Sequence, residues 1–277
     1  MKHIFFLFCF LLCASFGLAA QGCLETPGTP SGNIVVVTKR AVLSGKPMRS
    51  FTAAYDRDSR IALWVAYPLN AGLIGEGSRG DGWHPSNLLP EKDQASLYKG
   101  FAYGSGYDRG HQIPSADRLD PEANAQTFTF INATPQEHDF NGGIWAELEK
   151  VVRTWAKRSD TLYVVTGCVP GNRTIADNVG NPVIIPDAYW KAVLRRSTDR
   201  SGKTRWSAAC VLLPHRETRK GTWQENLAFF RENSLSVARM EEILGYPLFP
   251  LLGDTVGNAL ARTVTQTEPI GEPWWWK

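Results

Sequence analysis

Tyr107-Asp108-Arg109-Gly110-His111-Gln112 and, further along, Asn141-Gly142-Gly143-Ile144-Trp145-Ala146-Glu147-Leu148-Glu149 bracket the stretch around which this chain is organised. His111 comes first, because an imidazole is the side chain best poised to take a proton near neutrality. Its ordinary pKa of about 6.5 leaves it mostly neutral at pH 7–8, as a base must be. Arg109 stands two places before it. In an extended segment those two residues share one face, so guanidinium and imidazole can address one oxyanion. Gly110 between them permits close backbone approach. Asp108 is expected to face the other way and tie down the loop. Taken alone, a single His and an Asp-Arg pair are more often structural.

The second half of the stretch changes that balance. A helix is expected from about Phe140 to Lys157, because Ile144, Leu148, Val151, Val152 and Trp155 form an apolar stripe at helical spacing. Asn141, Trp145 and Glu149 then fall at i, i+4 and i+8 on one face. Asn141 lies near the helix N-terminus, where backbone dipoles favour an anion such as phosphate. Its amide oxygen is a hard, neutral donor suited to Mg²⁺, and Glu149 could hold a water of that ion. The plainer reading is that Asn141 caps the helix and Glu149 is a solvated charge.

Absences narrow the metal class. The chain has no His-x-x-x-His pair, no Cys-x-x-Cys pair and no dense carboxylate cluster, which argues against a tight zinc site or a two-metal site. His84, His138 and His215 are unpaired in sequence, and His138, near Asn141, is the rival base.

Outside this stretch the chain reads as an ordinary globular protein: 277 residues, 43% hydrophobic, 21% charged. A net charge of +3 permits a basic groove without demanding a nucleic-acid partner. Lys2, the apolar run Ile4 to Leu18, and Ala19-Ala20 read as a signal peptide over residues 1–20, hence export to a periplasmic, extracellular or membrane-anchored location. Cys23 admits two readings, a lipid-anchored lipoprotein cysteine or a residue near simple cleavage after Ala20. Cys168 and Cys210 are either a disulfide or two buried free thiols. Residues 21–33, rich in Pro, Gly, Thr and Ser, suggest a flexible tether before a single domain over 34–265 and a tail at 266–277.

Strands are expected at Asn33–Lys39, Ser50–Tyr55, Ile61–Tyr67, Thr127–Asn132, Leu162–Gly167, Ala188–Arg195 and Arg205–Leu213. Turns are expected at Asp56–Ser59 and Asp199–Lys203, with another at Gly171-Asn172 and a change of direction at Thr134-Pro135-Gln136. Residues 68–100 read as one long irregular region, of the kind that is usually functional when ordered. A last helix carries Val237, Met240, Ile243 and Leu244, with Gly245 and Pro247 as its stop.

The Tyr107–Gln112 motif, Asn132-Ala133-Thr134-Pro135-Gln136, and Asn141-x-x-x-Trp145-x-x-x-Glu149 together resemble the DNA/RNA non-specific endonuclease family, which includes secreted Serratia-type nucleases and mitochondrial endonuclease G. The likeness runs over roughly residues 50–250, through Leu162–Gly167, Ile185–Trp190 and Glu242–Gly245. It implies an α+β fold, a central mainly antiparallel sheet flanked by helices, with a ββα-metal (His-Me finger) active site. It implies hydrolysis of DNA and RNA phosphodiesters with one Mg²⁺ (or Mn²⁺), leaving 5′-phosphate ends. By the same resemblance His111 is the general base and Asn141 the direct Mg²⁺ ligand. Glu149 acts on the ion through water, Asn132 positions substrate, and Arg109, with Arg79 as the upstream Arg, offsets phosphate charge.

No base-reading motif is present, so binding is expected through backbone phosphates and blind to sequence. Arg153, Lys157 and Arg158 read either as a basic rim or as a solvated helix face. Trp274-Trp275-Trp276 either stacks on bases or packs on the body. Two competing functions remain, a metal-dependent phosphodiesterase on small or lipid phosphates and an exported, catalytically dead binding protein. The intact His111, Asn141 and Glu149 weigh against the second.

Overall fold

Hairpins build the main sheet. In a computed structural model, which describes residues 23–276 except 103, 273 and 274, Ile34–Leu43 (β1) and Lys46–Asp56 (β2) are joined by Ser44-Gly45. Both turn residues are left-handed, at φ 50° and 73°, the two-residue geometry whose twist suits the flanking strands. Ile61–Leu69 (β3) follows β2 across a turn closed by Asp56, whose carboxylate accepts from Asp58 N at 3.0 Å and Ser59 Oγ at 2.6 Å.

Tyr107–His111 (β4) and Ala133–Glu137 (β5) pair with each other as a separate two-stranded ribbon. Thr161–Ala176 (β6), Pro182–Thr198 (β7), Thr204–Pro214 (β8) and Ser234–Leu235 (β9) complete the large sheet, in the order β1-β2-β3-β6-β7-β8-β9, antiparallel throughout. The helices are Ala71–Ile74 (α1), Pro121–Thr127 (α2), Ala146–Ala156 (α3), Trp223–Glu232 (α4), Val237–Leu244 (α5), Leu252–Val256 (α6) and Asn258–Gln266 (α7). The fold is α+β with a large antiparallel sheet, as the resemblance implied.

Both faces of the sheet are covered, which explains why β3 reads as a nearly continuous apolar run rather than an alternation. Val65 and Tyr67 pack into a core with Ala133, Ile144, Trp145 and Leu148, while Trp64 and Ala66 face Val237, Met240, Leu252 and Val264. Cys168 belongs to the first core and Cys210 to the second. They therefore lie on opposite faces as buried free thiols, and the disulfide reading falls.

Several sequence expectations need correction. Thr127–Asn132 is not a strand. Pro121 starts α2, where its missing N–H costs nothing, and Phe130–Asn132 is a 3-10 turn. The strand begins at Ala133, so Thr134-Pro135-Gln136 lies within β5 rather than breaking direction, and a two-stranded ribbon tolerates the proline. Gly171-Asn172 is a bulge, not a turn. Pairing passes from Pro170↔Pro186 to Arg173↔Ile185, and the chain reverses at Asp177–Asn181.

The expected helix from Phe140 is broken. Phe140–Trp145 forms a wide π-type turn with Gly143 at φ −103°, ψ −113°, and regular helix begins at Ala146. Trp145 is fully buried, whereas Asn141 lines a cleft, so Trp145 does not share the face of Asn141 that the helical spacing predicts.

The expected signal peptide lies outside the described residues. Residues 23–33 are not a loose tether. Glu25, 1% exposed, pairs with Arg49, Gly28 N donates to Pro247 O at 2.8 Å, and Trp64 Nε1 donates to Gly28 O at 3.3 Å. Small and turn residues allowed this strap to lie flat on the body. At the other end Trp275 is buried against Trp155, whose indole N–H donates to Trp275 O at 2.8 Å. The body-packing reading of the tail therefore holds for Trp275, and Trp274 lies outside the described residues.

Leu148, fully buried on α3, is the peg that seats the Glu149 helix. Leu148→Ala is expected to cost about 2–5 kcal/mol of unfolding free energy. Denaturant titration should show a lower midpoint at unchanged slope, and a midpoint equal to wild type would contradict this packing.

Candidate active site

A single short strand presents the site. In β4, Gly110 pairs with Thr134 and His111 with Ala133. A Cβ at Gly110 would lie 2.2 Å from the buried Gln136 side chain, so the ribbon closes only with glycine there. Gln112, just past the strand, ties it to the main sheet through Nε2 to Ala62 O at 3.1 Å.

The alternation of β4 sends Arg109 and His111 to one side, where Trp83 and Phe128 receive them. The imidazole lies 4.7 Å from the Trp83 ring and 4.8 Å from Phe128. Arg109 sits over Trp83 at 5.1 Å and Arg79 over Phe128 at 5.3 Å. Each aromatic thus carries a guanidinium and touches the same histidine. The two rings are brought together where His84 N donates to Phe128 O at 3.0 Å and Phe130 N to His84 O at 2.9 Å. Sequence reasoning missed Trp83 and Phe128, since nothing in their spacing from His111 marks them.

His111 is 8% exposed, and its buried Nε2 has no hydrogen-bond partner among the described residues. Burial, then the charges of Arg79 and Arg109, push its pKa down to about 3. It therefore stays neutral around pH 7. Arg109 also donates Nη1 to Leu97 O at 2.9 Å and Tyr98 O at 3.2 Å.

Asp108 faces the opposite way, but it does more than fix a loop. Its Oδ2 accepts from Asn141 Nδ2 at 2.9 Å and lies 3.0 Å from His138 Nδ1. The carboxylate requires a donor, so it sets the amide of Asn141 with its oxygen turned away. Among the described residues, no group bonds that oxygen. His138 is an exposed partner of Asp108, which raises its pKa through that hydrogen bond. His215 accepts Glu137 N at Nε2, 2.8 Å, and His84 Nδ1 lies 2.9 Å from Pro85 O, so both are occupied structurally.

Glu149 is half-buried on α3 with no hydrogen bond from the described residues. Burial drives its pKa up to about 7, opposed by Lys191, Arg153 and Arg79 and reinforced by Asp117. Arg79 therefore acts on both His111 and Glu149, which places all three in one electrostatic neighbourhood.

Two assignments move. Asn132 does not line the cleft. Fully buried, it accepts Ile113 N at 2.9 Å and donates to Ile113 O and Thr127 O, clamping the chain just beyond His111. Arg153 is no basic rim, because it pairs with buried Asp117 at 2.9 Å, and Asp117 also accepts the Tyr67 hydroxyl at 2.8 Å. Lys157 and Arg158 are exposed at the far end of α3.

An open cleft of about 680 Å³ is lined by Arg79, Trp83, Lys99, Arg109, His138 and Asn141 among others, while His111 and Glu149 are not among its lining residues. Three cations and one open carboxamide oxygen suit a phosphate bound with a hard cation. No three His, Cys, Asp or Glu side chains gather as a metal cluster among the described residues. A cation held by one amide and waters requires none.

Comparison with known proteins gives a consistent answer. Residues 37–246 match the DNA/RNA non-specific endonuclease family. A Nostoc sp. (strain PCC 7120) protein named "Nuclease" is 31% identical over 252 residues, 88% of this chain and 83% of that protein. Mitochondrial endonuclease G of Bos taurus is 32% identical over 194 residues, 64% of each chain, and Nuclease C1 of Cunninghamella echinulata is 28% identical, covering 80% of this chain and 89% of that one. Among solved structures, a chain of the EndoG/EndoGI inhibition complex superposes with a TM-score of 0.55 at 19% identity, over 80% of this chain and 88% of that one, a likeness of fold.

The depressed pKa of His111 carries a stability signature. Between about 3 and the unfolded value near 6.5, the unfolded chain binds a proton that the native imidazole refuses. This contribution is present above 6.5 and is lost as pH falls toward 3, with a slope approaching about 1.4 kcal/mol per pH unit. Unfolding titrations from pH 7 to 4 should show wild type losing more stability than His111→Gln. Parallel curves would show that the imidazole is not buried in its neutral form.

Proposed function

The chain belongs to the DNA/RNA non-specific endonuclease family and is a phosphodiester-hydrolysing enzyme; we propose that it cleaves DNA and RNA alike, using His111 as general base beside one Mg²⁺. The observation that carries this reading is the buried, neutral imidazole of His111, whose Nε2 has no hydrogen-bond partner among the described residues and on which Arg79 and Arg109, two cations lining the cleft, both act.

The donor set fits the ion. Asn141 would hold it through the oxygen that Asp108 turns outward, and Glu149 would reach it through water, with Mn²⁺ the alternative metal. When bound, the divalent ion supplies positive charge against the phosphoryl oxygens and the leaving oxygen. The chain's own residues do the rest. The unprotonated ring nitrogen of His111 accepts the proton of the water that attacks phosphorus, while Trp83 and Phe128 hold the ring in place. Arg79 and Arg109 offset the negative charge that builds on the phosphoryl group. Their contacts with aromatic faces limit where those charges can sit. Asn132 acts as a positioning residue, fixing the backbone that follows His111.

Contacts of this kind reach phosphate rather than base edges, so the enzyme is read as sequence-blind and salt-sensitive. The family likeness supports 5′-phosphate products. The leader at residues 1–20 supports export, with Cys23 as the candidate lipid attachment. Among the described residues no helix is long and apolar enough to cross a membrane.

Digestion of plasmid, single-stranded DNA, RNA and a small phosphodiester, with Mg²⁺ or chelator, tests the proposal. Wild type should release acid-soluble nucleotides from all three polymers, and chelator should stop it. His111→Ala should keep its circular dichroism spectrum yet lose roughly 10²–10⁴-fold in kcat. Asn141→Ala should weaken Mg²⁺ binding in calorimetry, whereas His111→Ala should not. Full activity in His111→Ala would remove that residue from the mechanism.

A further inference from the structure

Leu97 to Gly100 forms a short segment that the rest of the molecule grips from three sides. Arg109 bonds the carbonyls of Leu97 and Tyr98. The tip of the β6–β7 hairpin holds both ends: Asp177 Oδ2 accepts Ser96 N at 2.9 Å, Asn178 Oδ1 accepts Lys99 N at 2.8 Å, and Asn178 Nδ2 donates to Gly100 O at 2.7 Å. Glu91 Oε1 takes the Tyr98 hydroxyl at 2.8 Å. Yet Tyr98 remains 53% exposed. Its ring meets Phe130 at 90° with centroids 5.0 Å apart, and a perpendicular contact leaves at least one face uncovered by Phe130. A ring pinned at its hydroxyl, its side and its backbone loses little entropy when a partner stacks on it.

We propose that Tyr98 is a stacking platform for an unpaired nucleobase beside the phosphate cleft, and that it biases the enzyme toward single-stranded stretches. The inference rests on the nuclease reading above. Position supports it, because Lys99, Gly100 and Arg109, the neighbours and backbone partner of Tyr98, all line the cleft. Charge supports it as well. Arg79, Lys99 and Arg109 suit the phosphate chain, whereas Glu91 at the Tyr98 hydroxyl repels phosphate and tolerates a neutral base. The cleft's indole, Trp83, is already engaged by Arg109, His111 and Phe128. Bases within a duplex stack on one another and offer no open face, while single strands and frayed ends do.

Steady-state kinetics on three substrates tests this: a single-stranded oligodeoxynucleotide, the same oligomer with abasic residues flanking one cleavable linkage, and a blunt duplex. Tyr98→Ala should raise KM on the ordinary single strand roughly 5- to 100-fold with kcat within about twofold. Its KM on duplex should change less, and on the abasic oligomer it should match wild type. Tyr98→Phe, which keeps the ring, should restore the KM. Wild-type KM in Tyr98→Ala on the ordinary strand, or an equal loss on the abasic or duplex substrate, would overturn the platform and leave the nuclease standing. A wild type that cleaves none of the three would overturn the nuclease reading and the platform together.

Discussion

The pairing of β4 with β5 is the constraint on which the site depends. With Gly110 pressed against Gln136 and His111 opposite Ala133, the alternation of a five-residue strand fixes what each side chain can reach. Arg109 and His111 emerge toward Trp83. Asp108 emerges toward Asn141. One short ribbon thereby sets the His111 imidazole on one side and orients the Asn141 amide on the other. Asn132 and Gln112 brace it from behind, the first against residue 113 and the second against β3.

Burial shifts the two titrating groups of this site in opposite directions, each toward its neutral form. It holds the imidazole neutral, with help from two guanidiniums, and raises the Glu149 carboxyl to about 7. The carboxyl is kept from rising further by Lys191 and Arg153, which are themselves placed by Thr166, Trp145 and Asp117. These are buried charges with assigned partners, a pattern that carries cost unless every member is satisfied. Tyr67 and Arg118 extend the same cluster around Asp117 into the sheet, so the floor of the site and the core of the fold are continuous.

The cleft wall has a different construction. Its backbone is held by side chains from distant segments, Arg109 from the ribbon and Asp177 and Asn178 from a hairpin tip. That arrangement gives an irregular loop the rigidity of a regular element, which a binding surface requires if its rings and cations are to be prepositioned.

Local chemistry made much of this protein legible in advance. The β-branched runs, the Asp-anchored turns at 56–59 and 199–203, and the helix ending at Gly245 are all determined by neighbours a few residues away. What sequence could not show arose from contacts between distant segments. The π-turn at Gly143 buries Trp145 and parts it from Asn141, because two adjacent glycines let the chain follow the core rather than the helical period. Trp83 and Phe128 reach His111 through a backbone bridge between residues 84 and 129. Arg153 turned inward because Asp117, thirty-six positions away, was buried beneath it. The residue types were fixed locally. Which face each one served was decided when the sheet acquired a covering on both sides.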